Sequence, residues 1–571
     1  MNKYTISDNG EANMIDVTAL IDVSNSNTFR LAAWRPGRYE LSNFGQNIHN
    51  LEVFDSLGLQ IKCSKIDREA WQFKNENLKV IQVNFKYWCP LLNAGSCYPS
   101  SDFLYINPIN LCLYTESKQD EGIEIELINR NGDVKTWNFT GIDRLFDSPL
   151  VLGQPNLTYS YTINNQNFYI DFFAYSESLA EIEKRFDSNG EYDYIDKFNK
   201  FTQTCFDMFG SFPFPSDYHF TIFIRNEFIH HGVEHLDSTV IVLGSYILDD
   251  FRYLDYELLS ISCHELFHSW NVKTIRPTEM MPYNYAQECY SQLHYITEGI
   301  TTYYGDYLLL SSGCIDDKTY LTRLNDVIAK FMTNDAIAFH SLANASIDSW
   351  LDGYKPNAPT RRISFYNEGS LWALVLDLKI RIESRELYKL ADLMRLLYQS
   401  EQVITKGYNE QLIRTLLNEM VPSDWDNFFQ LTIHSPAKYI DQLLLEYFES
   451  ESYSYAILRH NSIFEDIYIA GASCTVDRIG RRRINQLRAN SVLTSQGAKV
   501  GDYIILLNED NPLELTQNSN FNSKKLELVL VNKLEEHRKV SIIVPELDDF
   551  ISRPKVFPHH KVVTNWLKSS H

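Results

Sequence analysis

The sequence predicts a multidomain α+β protein, and three changes of residue pattern along the chain predict it. In the first part apolar and polar residues alternate, as in IDVTALIDV and VIQVNFKYW, with NSN and NRNGD between such runs; this is the period of half-buried strands and their turns. After Asp249 apolar residues recur at three- and four-residue spacing through YELLSISCHELFHSW, QLHYITEGITTYYGDYLLL and EGSLWALVLDLKIRIE, the spacing of amphipathic helices. Beyond about Tyr455, short strand-like runs separated by Gly, Asn and Asp return in YIAGASCTVDRIG, AKVGDYIILLNED and RKVSIIVPE. The expected division is a β-rich domain over 1–165, a mainly helical domain over 166–452, a small β module over 453–546 and a tail over 547–571.

Composition narrows the class. The 571 residues are 44% hydrophobic and 13% aromatic, which suits packed globular domains rather than disorder. A formal charge of -22 argues against a nucleic-acid partner, whose phosphates it would repel. No apolar run approaches the ~18 residues of a spanning helix, so no membrane association is expected. The N-terminus MNKYTISDNGEANMIDV has no basic stretch followed by an apolar core, and a cytoplasmic protein is expected. Nine scattered cysteines without a C-x-x-C pair read as reduced, mostly buried thiols.

Within the β-rich domain, AWRPGRYELSNFGQNI (Ala33 to Ile48) holds aromatics, Pro, Gly and two Arg. It is expected at a turn or edge of the sheet, with Arg38 and Tyr39 the residues that could border a cleft. Further on, YHFTIFIRNEF and STVIVLGS are expected strands, and HGVEHLDST (His231 to Thr239) lies between them. A Gly-x-Glu turn there would present Glu234 at a cleft edge; a separate metal site made from His230, His231 and His235 is the competing reading.

The stretch SCHELFHSWNVKTIRP, Ser262 to Pro277, carries the chemistry. His264 and His268 are four apart, so on a helix both imidazoles face one ion. Glu265 lies one step round and can reach a water at that ion without ligating it, the place of a general base. A match to H-E-x-x-H arises by chance on the order of 0.03 times in a chain of this composition. A catalytic zinc commonly takes three protein ligands and keeps one position open. Glu298, 29 residues separating it from His268, sits on a second helix long enough to pack antiparallel on the first and is the best third ligand. Cys263 reads as a buried thiol, since a fourth ligand would fill the open position, and Trp270 as packing under the motif. Tyr366, just ahead of the helix in RRISFYNEGSLWALVLDLKIR, offers a donor for a tetrahedral oxyanion. The reaction such a set performs is hydrolysis of a peptide bond.

Taken together, HELFHSWNVKTIRP, TEGITTYYGDYLL, GVEHLDST and WRPGRYELSNFGQNI resemble the M61 glycyl aminopeptidase family, and the module with GAKVGDYIILLNED is similar to the PDZ domain that ends those proteins. The resemblance implies a thermolysin-like catalytic domain, a C-terminal PDZ-like domain and one catalytic Zn2+ held by His264, His268 and Glu298. It further implies Glu265 as general base, Glu234 in its Gly232-x-Glu turn as holder of the substrate's α-amino group, and Tyr366 as oxyanion donor. The substrates implied are peptides with a small N-terminal residue, Gly or Ala. A metallo-endopeptidase and a weakly active peptide-binding scaffold are the alternatives. The chain departs from the family at Glu368, where the Y-x-K-G pattern has lysine, so the field near the site is expected to change. His231 stands where a second Gly usually precedes Gly232, and no Gly-Leu-Gly-Phe loop is evident in the C-terminal module.

Overall fold

In the computed structural model the described residues are 2–447, except 75–76, 118–119, 187–192, 249–253, 333 and 356–360, together with 472–476, 482–487, 491–506, 525–531 and 537–543. Alternation builds the first sheet. Its strands are β1 (Asn2–Ser7), β2 (Met14–Asp22), β3 (Ile48–Phe54), β4 (Val80–Trp88), β5 (Gly122–Ile128) and β6 (Val134–Thr140), in the order β6-β5-β1-β2-β4-β3. Only β1 and β5 pair in parallel within it. On β2 the buried residues are Ile15, Val17, Ala19 and Ile21, every second position, as a sheet with one covered face requires.

A second sheet holds β7 (Leu157–Ile163), β8 (Gln166–Phe173), β9 (Tyr218–Arg225), β10 (His230–Glu234) and β11 (Ser238–Gly244), in the order β7-β8-β9-β11-β10. The boundary expected between 165 and 166 falls in the turn of the β7–β8 hairpin, whose last pair is Ile163 with Gln166. Both strands belong to this sheet. Alternation along a strand cannot say which sheet it joins, because pairing is a tertiary choice. One face of the sheet, with Phe173, Phe223, Val240 and Val242, packs on Leu92, Ala94 and Tyr105 of the first domain. The other, with Phe168, Ile170, Ile222 and Ile241, faces the helical core.

Four helices frame the cleft: α1 (Tyr194–Phe209), α2 (Ser260–Phe267), α3 (Thr301–Ser311) and α4 (Asn367–Glu383). Single wide π-helical turns, Leu254–Leu259 and Tyr295–Ile300, lead into α2 and α3. Two glycines set the helix crossings. A Cβ on Gly305 would lie 3.1 Å from His264 Cβ, and one on Gly299 would lie 2.7 Å from the Gly369 backbone. Gly305 meets His264 while Glu298 meets His268, so the two helices run antiparallel, as expected. Trp270 is fully buried and stacks on Phe209 at 4.8 Å.

The C-terminal strands β12 (Ala472–Val476), β13 (Arg482–Leu487), β14 (Tyr503–Leu506), β15 (Lys525–Val531) and β16 (His537–Ile543) form one antiparallel sheet in sequence order. The expected tail, 547–571, lies outside the described residues. Among the described residues no helix is long and apolar enough to cross a membrane. Eight cysteines are free there, all buried except the half-buried Cys63.

Candidate active site and metal centre

The HExxH helix presents both imidazoles to one point. His264 Nε2 and His268 Nε2 are 3.0 Å apart, and Glu298 Oε2 lies 3.7 Å from the first and 3.3 Å from the second. A tetrahedral ion with ligands at about 2.0–2.2 Å sets neighbouring ligand atoms roughly 3.3–3.6 Å apart. The edges of the triangle spanned by the three donors, 3.0, 3.3 and 3.7 Å, bracket that size, and two imidazoles with one carboxylate are a donor set that fits such an ion. His268 Nδ1 donates to Asn271 O at 2.8 Å, so in the neutral ring it is Nε2 that carries the lone pair, toward the shared point. Asn271 also ties the motif to the second helix: its Nδ2 donates to Ile296 O at 2.9 Å and to Thr301 Oγ1 at 3.1 Å.

Three carboxylates surround this point. Ligand atoms of Glu234, Glu265 and His268 all lie within 4.8 Å of one another. Glu265 Oε2 and Glu234 Oε1 are buried with no hydrogen-bond partner among the described residues. Burial pushes the Glu265 carboxyl up to about 8, against the opposing charge of His268. For His268, burial acts downward, but Glu298 and the other two carboxylates outweigh it and raise the imidazole to about 9. Burial acts upward on Glu298, yet the two histidines hold it well below the usual carboxylate range. A cation bound at the shared point would favour the charged form of all three carboxylates.

Glu234 arrives by a route that its sequence pattern does not reveal. Gly232 to Glu234 form not a turn but the end of the edge strand β10, hydrogen-bonded to β11. Gly232 on that strand packs on the motif helix: a Cβ there would overlap Glu265 Oε1 and lie 2.9 Å from Ile261 Cδ1. His230, His231 and His235 do not converge. His230 pairs with Glu257 at 2.9 Å, His235 with Asp147 at 3.3 Å, and His231 sits 3.4 Å from Arg35 Nη2. Burial foremost, then the Arg35 charge, lowers His231 to about 3; its ring is a neutral packing group.

The segment Ala33–Ile48, expected at a turn or sheet edge with Arg38 and Tyr39 able to border a cleft, begins with a turn, and its Tyr39 reaches Glu298. Arg35-Pro36-Gly37-Arg38 closes with Arg38 N donating to Arg35 O at 3.3 Å, and Gly37 takes φ +80°. Pro followed by Gly at positive φ is the pattern of a type II turn. It lays Gly37 on Glu234, where a Cβ would overlap Oε2. Two residues on, Tyr39 Oη donates to Glu298 Oε1 at 3.0 Å. Tyr366, entering α4, shares a hydrogen bond with Tyr354 at 3.1 Å, and Tyr39 N donates to Tyr354 Oη at 3.4 Å. Burial foremost, then Glu298, keeps the phenols of Tyr39 and Tyr366 well above their ordinary range, so both stay neutral donors.

Glu368 does not turn toward this cluster. Its Oε2 accepts from Ser364 N at 2.9 Å and its Oε1 from Asn334 Nδ2 at 3.4 Å, so the acid folds back on the backbone just ahead of its own helix. Asn271 and Lys273 stand inside the stretch that holds the motif, where their closeness to His268 is the one signal that could have found them. Tyr354 and Asp147 carry no local signal at all.

A family model described as M61 glycyl aminopeptidase matches residues 257–372, and one described as the Peptidase M61 N-terminal domain matches residues 3–154. Over these two stretches the chain matches the M61 peptidase family. The first match covers both histidines, Glu298, Tyr354 and Tyr366; the second covers Tyr39 and Asp147. No curated protein matches this chain in sequence. Among solved structures, an aminopeptidase N family protein from Idiomarina loihiensis has TM-score 0.77 at 20% identity, covering 99% of this chain and 100% of that one. That likeness shows a shared fold. Aminopeptidase A from Legionella pneumophila, solved in complex with aspartic acid, has TM-score 0.44 at 9% identity, covering 76% of this chain and 49% of that one.

Proposed function

We propose that this protein is a zinc-dependent aminopeptidase that removes a small N-terminal residue, Gly or Ala, from peptides. The observation that carries the reading is the convergence of His264, His268 and Glu298 on one point, with oxygens of Glu265 and Glu234 that accept no hydrogen bond beside it. A zinc ion held by the three donors would supply a Lewis acid that polarises the scissile carbonyl and acidifies water near neutral pH.

The chain's own residues do the rest. Glu265 takes the proton of the attacking water and delivers it to the leaving amine. Tyr366 donates to the oxygen that gains charge as the carbonyl carbon becomes tetrahedral. Glu234 pairs with the substrate's α-ammonium, which fixes the bond that meets the water as the first in the chain. The preference for small residues rests on the family's description, glycyl aminopeptidase. In this reading the helical region with its edge strand is a thermolysin-like catalytic domain, and the C-terminal sheet is a PDZ-like module.

Hydrolysis of glycyl and alanyl anilides by Glu265→Gln, with metal content checked, is the test. Retained metal with turnover lowered ~10²–10⁴-fold supports the assignment; near-normal turnover sinks it. Acetylating the substrate's α-amine should abolish hydrolysis, and an enzyme that still cleaves acetylated substrates is an endopeptidase.

A further inference from the structure

A buried ammonium stands behind the carboxylate read as the amine anchor. Lys273 Nζ lies 2.9 Å from Asp147 Oδ1 and 3.6 Å from Glu234 Oε1, and its side chain has 0% exposure. The three groups come from three places: the turn after the HExxH helix, the end of the short helix Ile142–Phe146 in the first domain, and the edge strand β10. His235, beside Asp147, is lowered by burial and adds no charge. The turn itself is tightly wound, with Val272 N and Lys273 N both donating to His268 O, at 3.0 and 2.9 Å. One short stretch therefore fixes His268 on the metal side and sends Lys273 to the back of Glu234.

From this geometry we infer that Lys273, anchored by Asp147, is the positioning residue for amine recognition, holding Glu234 where a substrate's α-ammonium meets it. The inference rests on the aminopeptidase reading above. Glu234 Oε1 has no hydrogen-bond donor among the described residues, so the attraction of a fixed cation at 3.6 Å sets where that oxygen lies. The Gly37 turn closes on the other oxygen, Oε2. A carboxylate held from both sides needs no reorganisation when the ammonium arrives, and pre-set groups bind more tightly than mobile ones. Lys273 touches neither the substrate nor the metal; it acts through Glu234.

Two metal-binding probes that differ by one amine test this: glycine hydroxamate and acetohydroxamate, as inhibitors of the zinc-loaded full chain. Lys273→Met leaves Asp147 as an unpaired buried charge that can unfold the site, so Lys273→Met/Asp147→Asn is measured beside it; removing both members of a buried pair is tolerated far better than removing one. The expected result is a rise of ~10-fold or more in the inhibition constant of glycine hydroxamate, with that of acetohydroxamate changed by less than ~2-fold and zinc content unchanged. Equal weakening of both probes, or none of either, overturns the role of Lys273. A wild-type enzyme that binds the two probes alike would instead overturn amine recognition by Glu234, and with it the reading on which this one rests.

Discussion

Tyr39 Oη donates to Glu298 Oε1 at 3.0 Å while the other oxygen of Glu298 faces His264 and His268. A residue of the β-rich domain thus orients a carboxylate on the helical one. A partner that holds a ligand's free oxygen fixes the direction of the one left for the ion.

Tyr39→Phe removes that hydroxyl and little volume. Zinc affinity, read by competition with a chromogenic chelator, should fall ~10–100-fold. Circular dichroism should be unchanged. Wild-type affinity in the variant would mean that Glu298 is held by packing alone.

Gly232→Ala should inactivate without unfolding. The new methyl would overlap Glu265 Oε1 and crowd Ile261, so either the base or the edge strand moves. A misplacement near 1 Å costs on the order of 100-fold in rate. The expected outcome is kcat down by about that factor with metal content intact; a variant with wild-type kcat would show that strand β10 yields freely.

Gly369→Ala strikes backbone instead of a side-chain end. Its Cβ would lie 2.9 Å from Gly299 Cα, and two helices cannot close over it. Overpacking of this kind costs about 1–3 kcal/mol. Denaturant unfolding should show that loss, together with reduced turnover, because the same crossing carries both Tyr366 and Glu298. Unaltered stability would place slack at the crossing.

Glu368 gives a pH signature of stability. Burial foremost raises its carboxyl to about 7 from an ordinary 4.5, against the bond from Ser364. The folded state therefore keeps a proton that the unfolded chain releases. The stability this contributes is complete below the ordinary value and is lost as pH rises through the raised one, chiefly between about 4.5 and 7. Replacing it with glutamine should flatten the fall in melting temperature across that window. Parallel curves for the two proteins would assign the pH dependence elsewhere.

Much of the candidate site was legible because its strongest signals are local. His264, Glu265 and His268 share a turn of helix, so spacing alone aligns them, and Glu298 needs only a second helix to pack on the first. Tyr39 shows the limit. Its segment reads as a turn, and is one, but a turn's sequence says nothing of what it packs against. Glu368 shows another: a lysine exchanged for glutamate suggested an altered field at the site, whereas the side chain folds back on its own helix end.

By itself the sequence determined the order of strands and helices, the donor types and the two imidazoles on one face. These follow from periodicities of two and of three to four residues, which are properties of the backbone. Only the tertiary structure decided that β7 joins the second sheet, that Gly232 and Glu234 lie on an edge strand over Glu265, and that Tyr39, Lys273 and Asp147 reach the cleft. Tyr39 meets Glu298 across 259 positions and Asp147 meets Lys273 across 126; Lys273 and Glu234 are closer in sequence but lie on different elements. The surrounding packing selects such contacts, and no local rule of spacing reaches that far.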